Sequence, residues 1–189
     1  MRIKRQLAVL SVLGGLACAS AAELPGQEHV KSRTVTVCLS YGPKAEIEVA
    51  LAMTIASKMF AEIGIQLNGG TGQQYFTRTI ERPIIINLST HTPPTRNPGA
   101  WAYALPFEGR HIEIFYDRIV RPSPSLTARL LSCVLVHKIT HLLQGLDRHS
   151  TAGIMKAHWS SEEYLNMPPT SAFTEDDIDL IHRGLDCPR

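Results

Sequence analysis

The chain has 189 residues, of which 44% are apolar, with 19 Lys or Arg against 17 Asp or Glu. That length and apolar fraction describe one globular domain with a real core and short appendages. The balanced charge offers no basic patch for nucleic acid, and a single apolar run near the start leaves no second one for a membrane.

The start of the chain reads as an export signal. Arg2, Lys4 and Arg5 give a basic opening, residues 7–16 form an apolar run, and small residues lead to Ala22, after which Glu23 and Pro25 open a polar segment. The apolar run falls short of the roughly 20 residues that span a bilayer. Cleavage is expected near Ala21 or Ala22. The expected organisation is a signal peptide over 1–22, a flexible lead over 23–33 and one folded domain over 34–189, periplasmic or secreted. Cys18 raises lipid anchoring, but Gly15 stands where a large aliphatic residue is usual three positions earlier, which argues against it. Cleavage removes three of the 19 basic residues and none of the 17 acidic ones, so 16 face 17 and the net charge is near −1.

Within the domain, "TVTVCLSY" (34–41) is β-branched and alternating and predicts a strand. From 44 to 63, Ile47, Leu51, Ile55, Met59 and Ile63 recur every four residues, which predicts an amphipathic helix along that stripe, stopped by Gly64. "IQLNGGTG" (65–72) suggests a short strand and a loose turn, and its glycines form no phosphate-cradling loop. "PIIINLS" (83–89) is a continuous apolar run, as in a buried strand, and Pro93, Pro94 and Pro98 make 91–99 a loop. "AWAYALPF" (100–107) and "HIEIFYDRIV" (111–120) read as two strands around a turn at 108–110. Trp101, Tyr103 and Phe107 fit a core or the wall of a cleft, and Asp117 with Arg118 fits a structural ion pair.

The strongest helix runs over 126–144 and ends before Gly145. "SSEEYLNM" (160–167) predicts a short helix capped by Ser160 with Glu163 three residues on. A last helix over 174–185 opens with a cap and an acidic turn and closes on Gly184. This order of elements predicts a single α+β domain. Cys38, Cys133 and Cys187 remain after cleavage, enough for one bridge in an exported protein; three pairings are open, and Cys38–Cys187 would staple the tail.

The chemistry concentrates in "HKITHLLQGLDRHSTAGIM" (137–155). His137 and His141 lie one helical turn apart on one face, so their imidazoles can converge on one ion. Gly145 can take the left-handed conformation that ends a helix, and His149 follows four residues later, within reach of a loop returning beneath the helix. Asp147 is the rival third ligand. Cys133 shares the stripe, but it stands about 12 Å along the axis from His141 at 1.5 Å per residue and reads as a small buried residue or the leftover thiol.

This stretch resembles the metzincin zinc metallopeptidases, whose pattern is H-E-x-x-H, a glycine, a third His or Asp, and a Met-containing turn. "HKITH" (137–141), Gly145, His149 and "GIM" (153–155) match it. The stretch is more similar still to a set of uncharacterised exported bacterial proteins with H-E-x-x-H-x7-H followed by G-[IV]-M. The resemblance implies a zincin-like α+β domain: a twisted mixed sheet, a long N-terminal helix, a histidine-bearing active-site helix, a Met-turn and C-terminal helices, with an edge strand along a substrate cleft. It implies His137, His141 and His149 as ligands of Zn²⁺, Met155 as the apolar floor beneath them, and a peptide or protein as substrate.

Lys138 departs from the pattern, because it stands where the general-base glutamate belongs. An ammonium has no lone pair to take a proton from the attacking water. It also opposes a dication, by several kcal/mol at about 5 Å and an effective dielectric near 20. Lys138 can relax by reaching outward along the cleft or by losing its proton. The expectation is an exported metallopeptidase of metzincin type with hydrolysis lost or severely weakened. Its alternative is a non-catalytic zinc-binding pseudopeptidase that holds a peptide or protein. An isolated Glu-to-Lys exchange in a line of active enzymes fits as well, and a metal-free domain with coincidental histidines is the third reading.

Overall fold

A computed structural model describes residues 33–71, 83–104, 109–168, 170 and 172–187. The expected signal peptide over 1–22, Cys18, the lead up to residue 32 and Phe107 lie outside these residues.

The strands are β1 (Arg33–Ser40), β2 (Ile65–Thr71), β3 (Ile84–Ser89), β4 (Ala102–Ala104) and β5 (His111–Phe115). They form one sheet in the order β2-β1-β3-β5-β4. The β1–β2, β1–β3 and β3–β5 pairs are parallel, and the edge strand β4 runs antiparallel to β5, with Tyr103 opposite Glu113. Alternation decides which side of each strand is covered. Val35, Val37 and Leu39 of β1, Ile84, Ile86 and Leu88 of β3, and Ile112 and Ile114 of β5 all enter the core. The apolar run at β3 is therefore covered on one side only, since Asn87 is exposed.

The described residues also form five helices: α1 (Glu46–Ala61), α2 (Tyr116–Ile119), α3 (Pro124–Gln144), α4 (Ser161–Asn166) and α5 (Glu175–Asp186). A 3₁₀ turn over Pro43–Ala45 leads into α1. The stripe expected to face the core along α1 does not do so, because Ile47 is 67% exposed and Leu51 44%. The buried positions are Val49, Ala52, Ala56, Met59 and Phe60. A four-residue step overshoots a full turn by about 40°, so a strict four-residue stripe winds around the helix instead of following one side. The expected strand over 111–120 also stops early, and its second half is the single turn α2.

α3 is the central helix, packed against α1, α4 and α5 and buried at fifteen of its residues. It is long and apolar enough to cross a membrane, yet most of it lies inside this core. Ser123 caps its start by accepting from the Leu126 N–H at 3.3 Å. Gly145 ends it in the left-handed region at φ 63° and ψ 29°, with its N–H donated to His141 O at 2.9 Å.

Both C-terminal helices carry reciprocal caps, Ser160 with Glu163 and Thr174 with Asp177. α5 does not stop at Gly184 as expected but continues through it to Asp186. A Cβ on Gly184 would stand 1.8 Å from Leu143 O, so the glycine serves the close crossing of α5 over the last turn of α3. Arg33 ties the start of β1 to this helix, donating to His182 O at 2.8 Å and pairing with Asp186 at 2.7 Å. That contact explains why the expected Cys38–Cys187 bridge is absent. Asp186 meets the first residue of β1, Cys38 lies five residues along the strand, roughly 16 Å away at about 3.3 Å per residue, and both thiols are free. Cys133 is the small buried residue expected, its thiol pushed up to about 11 by burial.

Candidate metal centre

The long α3 brings His137 and His141 together one turn apart, with their Nε2 atoms 3.1 Å from each other. The left-handed Gly145 turns the chain, and His149 returns to the pair, its ring centroid 5.2 Å from that of His137 and 5.0 Å from that of His141. The three rings offer nitrogen atoms that all lie within 4.8 Å of one another. His137 and His141 are buried and His149 is exposed. Asp147, the rival ligand, is exposed and stands outside this group. The described residues thus contain a three-histidine group able to hold a metal ion.

The tautomers follow from the partners. His137 Nδ1 lies 2.7 Å from Ile154 O, and His141 Nδ1 lies 2.9 Å from Leu146 O. A carbonyl only accepts, so each Nδ1 carries the proton and each Nε2 presents its lone pair. Two lone pairs facing each other repel unless a cation lies between them. Ligands at roughly 2.0–2.1 Å from a tetrahedral ion sit about 3.3–3.4 Å apart, close to the spacing of this pair. Burial pushes His137 down to about 3 against the effect of the Ile154 hydrogen bond, and the charges of Lys138, His141 and His149 act in the same direction as burial. Burial likewise lowers His141 and His149. In all three, burial favours the neutral form, the form metal ligation requires.

The loop beneath the group is closed on itself. Ser150 N donates to Met155 O at 2.9 Å and Lys156 N to Gly153 O at 3.3 Å. Gly153 has φ 69°, and a Cβ there would stand 2.6 Å from Ala172 O. Ile154 and Met155 are fully buried, so the residue whose carbonyl orients His137 is fixed by core packing. The side chain of Asp177 staples the loop from the other side. It accepts from Ser150 Oγ at 2.6 Å and from Arg148 at 3.1 Å, and it also accepts from Thr174 Oγ1 at 2.7 Å. The Thr174–Asp177 cap is legible in sequence, but its second duty, holding the residues either side of His149, is a long-range contact that local pattern does not carry.

Burial raises the pKa of Asp177, but the Ser150 and Thr174 hydrogen bonds and the Arg148 charge outweigh it, and the net shift is downward. A carboxylate depressed in the fold contributes stability that is complete above its unfolded value, about 3.9, and is lost as pH falls through the lower folded value. Urea denaturation at pH 6 and pH 3 should therefore show a larger loss for the native chain than for Asp177→Asn. Equal losses would remove this staple from the account.

Beside the histidines opens a cavity of about 380 Å³, whose lining includes His137, Lys138, His149, Trp101, Ala102, Trp159 and His158. Ala102 starts the edge strand β4, so the sheet edge borders the cavity. Trp159 meets the His137 ring edge-on at 5.2 Å, and Trp101 packs 6.2 Å from Trp159. Burial lowers the pKa of Lys138, and attraction to Asp147 opposes this. Lys156 points to Glu163, whose carboxyl this lysine holds down at about 2. Trp101 is a cleft residue, as one of its two sequence readings has it. Asn97, Lys156, His158 and Trp159 belong to the cavity with no local pattern to mark them. Asp117 and Arg118 do not bond each other among the described contacts. Each pins the 91–100 loop, Asp117 by accepting from Thr92 Oγ1 at 2.6 Å and Arg118 by donating to Asn97 O at 2.6 Å.

No protein-family model and no curated protein sequence matches the chain. Among solved structures, the archaemetzincin of Methanopyrus kandleri is similar with a TM-score of 0.56 at 16% identity, over 86% of this chain and 99% of that one. The chain has a zincin-like fold. The archaemetzincin of Archaeoglobus fulgidus, crystallised with malonate, gives a TM-score of 0.49 at 14% identity, over 78% of this chain and 99% of that one. In this zincin-like fold the mixed sheet and the histidine-bearing α3 stand as the resemblance leads one to expect.

Proposed function

We propose that the chain is an exported zinc metallopeptidase of metzincin type in which Lys138 has replaced the general base, so that hydrolysis is lost or severely weakened. The observation that carries the proposal is the convergence of His137, His141 and His149, two of them oriented through Nδ1 by a backbone carbonyl. Neutral imidazoles in a three-ligand set that leaves a position open suit catalytic zinc. When bound, zinc supplies Lewis-acid activation of water and of a carbonyl. His137, His141 and His149 would hold the ion, and Met155, buried beside Ile154, would form the apolar floor. The edge strand β4 would align an extended peptide across the cavity, with Trp101 and Trp159 excluding water from the scissile bond.

A second reading is favoured by the position of Lys138 inside the cavity. With an ammonium where a proton acceptor is needed, the same fold serves as a pseudopeptidase that binds a peptide or protein without cleaving it. Both readings require the metal. Purified protein should retain about one equivalent of zinc, and His149→Ala should lose most of it while remaining folded. Less than roughly a tenth of an equivalent in the native protein would remove both.

A further inference from the structure

The metal group does not account for the charge in the cavity. Lys138 lines the cavity in a half-buried position, and no hydrogen bond or ion pair joins its side chain to another described residue. The cavity's other lysine, Lys156, is tied to Glu163. No Asp or Glu stands among the described lining residues. Asp147, whose charge reaches Lys138, is exposed and outside the lining. The lining also includes the aromatic side chains of Trp101 and Trp159. A half-buried ammonium has lost part of its hydration without gaining a hydrogen-bond or ion-pair partner. A ligand that brings an anion to it restores that interaction in a setting where charge-assisted hydrogen bonds are strong.

We propose that the cleft recognises a carboxylate on its peptide ligand, with Lys138 as the group that selects it. This inference rests on the reading of the cleft as a peptide site. The carboxylate has two sources, the C-terminus of the peptide or an Asp or Glu side chain within it. Lys138 lies next to His137 in the chain and shares the cavity wall with it, so the recognised carboxylate would be seated beside the metal group.

The test uses the protein's own fluorescence. Trp101 and Trp159 are the two tryptophans of the chain, and both line the cavity, so their emission reports occupancy. Zinc-free and zinc-loaded protein would each be titrated with three alanine-based peptides: one with a free C-terminus, one amidated, and one amidated with an internal glutamate. At least one carboxylate peptide should bind about tenfold tighter than the neutral amide, and the tighter of the two identifies the source. Lys138→Gln should bring the preference to within about twofold, and Lys138→Arg should keep it. Circular dichroism of each variant controls for folding. Equal binding of all three peptides, no binding of any, or a preference that survives Lys138→Gln would overturn the inference. A protein that fails to hold zinc but keeps a Lys138-dependent preference would sink the metal reading alone. Zinc bound without the preference would sink this inference alone.

Discussion

A Lys138→Glu variant is expected to hydrolyse peptides about 10²–10⁴-fold faster than the native chain. Position 138 follows a histidine of the metal group on α3, and its side chain faces the cavity those histidines share. A carboxylate there can take a proton from the attacking water and pass it to the departing amine, whereas a protonated lysine can do neither. The exchange also removes a positive charge that opposes a dication by several kcal/mol at about 5 Å. Lys138→Gln separates the two effects, since it relieves the repulsion without supplying a base. It should tighten zinc binding and leave hydrolysis near the native level. Initial rates on a broad peptide library, read with zinc content and circular dichroism, decide the matter. If Lys138→Glu holds zinc, is folded and cleaves nothing, the peptidase reading fails and the binding-module reading stands.

Gly184→Ala is expected to be the most damaging single-atom change in the fold. The added Cβ would stand 1.8 Å from Leu143 O and 2.9 Å from Leu143 C, both backbone atoms of the helix that carries the histidines. A flexible side chain could move aside, but a backbone carbonyl inside a packed helix cannot, so α5 must be pushed off α3. The expected cost is about 3 kcal/mol, at the upper end for overpacking, or roughly 6–12 °C in Tm for a chain of this size. Lifting α5 also loosens Asp177 from Ser150 and Arg148, so zinc retention should fall together with stability. Gly42→Ala is the control, because a Cβ there meets nothing within 4 Å and the residue has φ −76°; its effect should stay within about 0.5 kcal/mol. A Gly184→Ala protein that melts with the native chain would show that the helices do not cross as closely as described.

The parts of this fold that the sequence reveals are those governed by local chemistry. Ser160 and Thr174 act as caps, and Gly145 ends α3, because capping is decided within four residues of chain. The histidine triad is legible for the same reason, since two ligands share a helix face and the third follows a helix stop. Errors arise where tertiary packing decides. The stripe drifts about 120° around α1 over the three steps from Ile47 to Met59, so Met59 is buried while Ile47 is exposed. "YDRI" (116–119) has strand-like neighbours, yet it turns into α2, where Tyr116 and Ile119 are buried and Arg118 reaches back to Asn97 O and Ala100 O. Gly184 looks like a helix stop in sequence but is a contact glycine, which only the Leu143 carbonyl reveals. The part of the cavity lining formed by His158 and Trp159 follows the turn after Met155 and carries no spacing rule.

The central claim is that three imidazoles share one zinc ion. Zinc-edge X-ray absorption on protein carrying one equivalent of the metal reads this directly. The account predicts three imidazole nitrogens at roughly 2.0–2.1 Å with one further oxygen ligand, and one imidazole fewer in His149→Ala. A shell with sulfur, or with two imidazoles in the native protein, would contradict it.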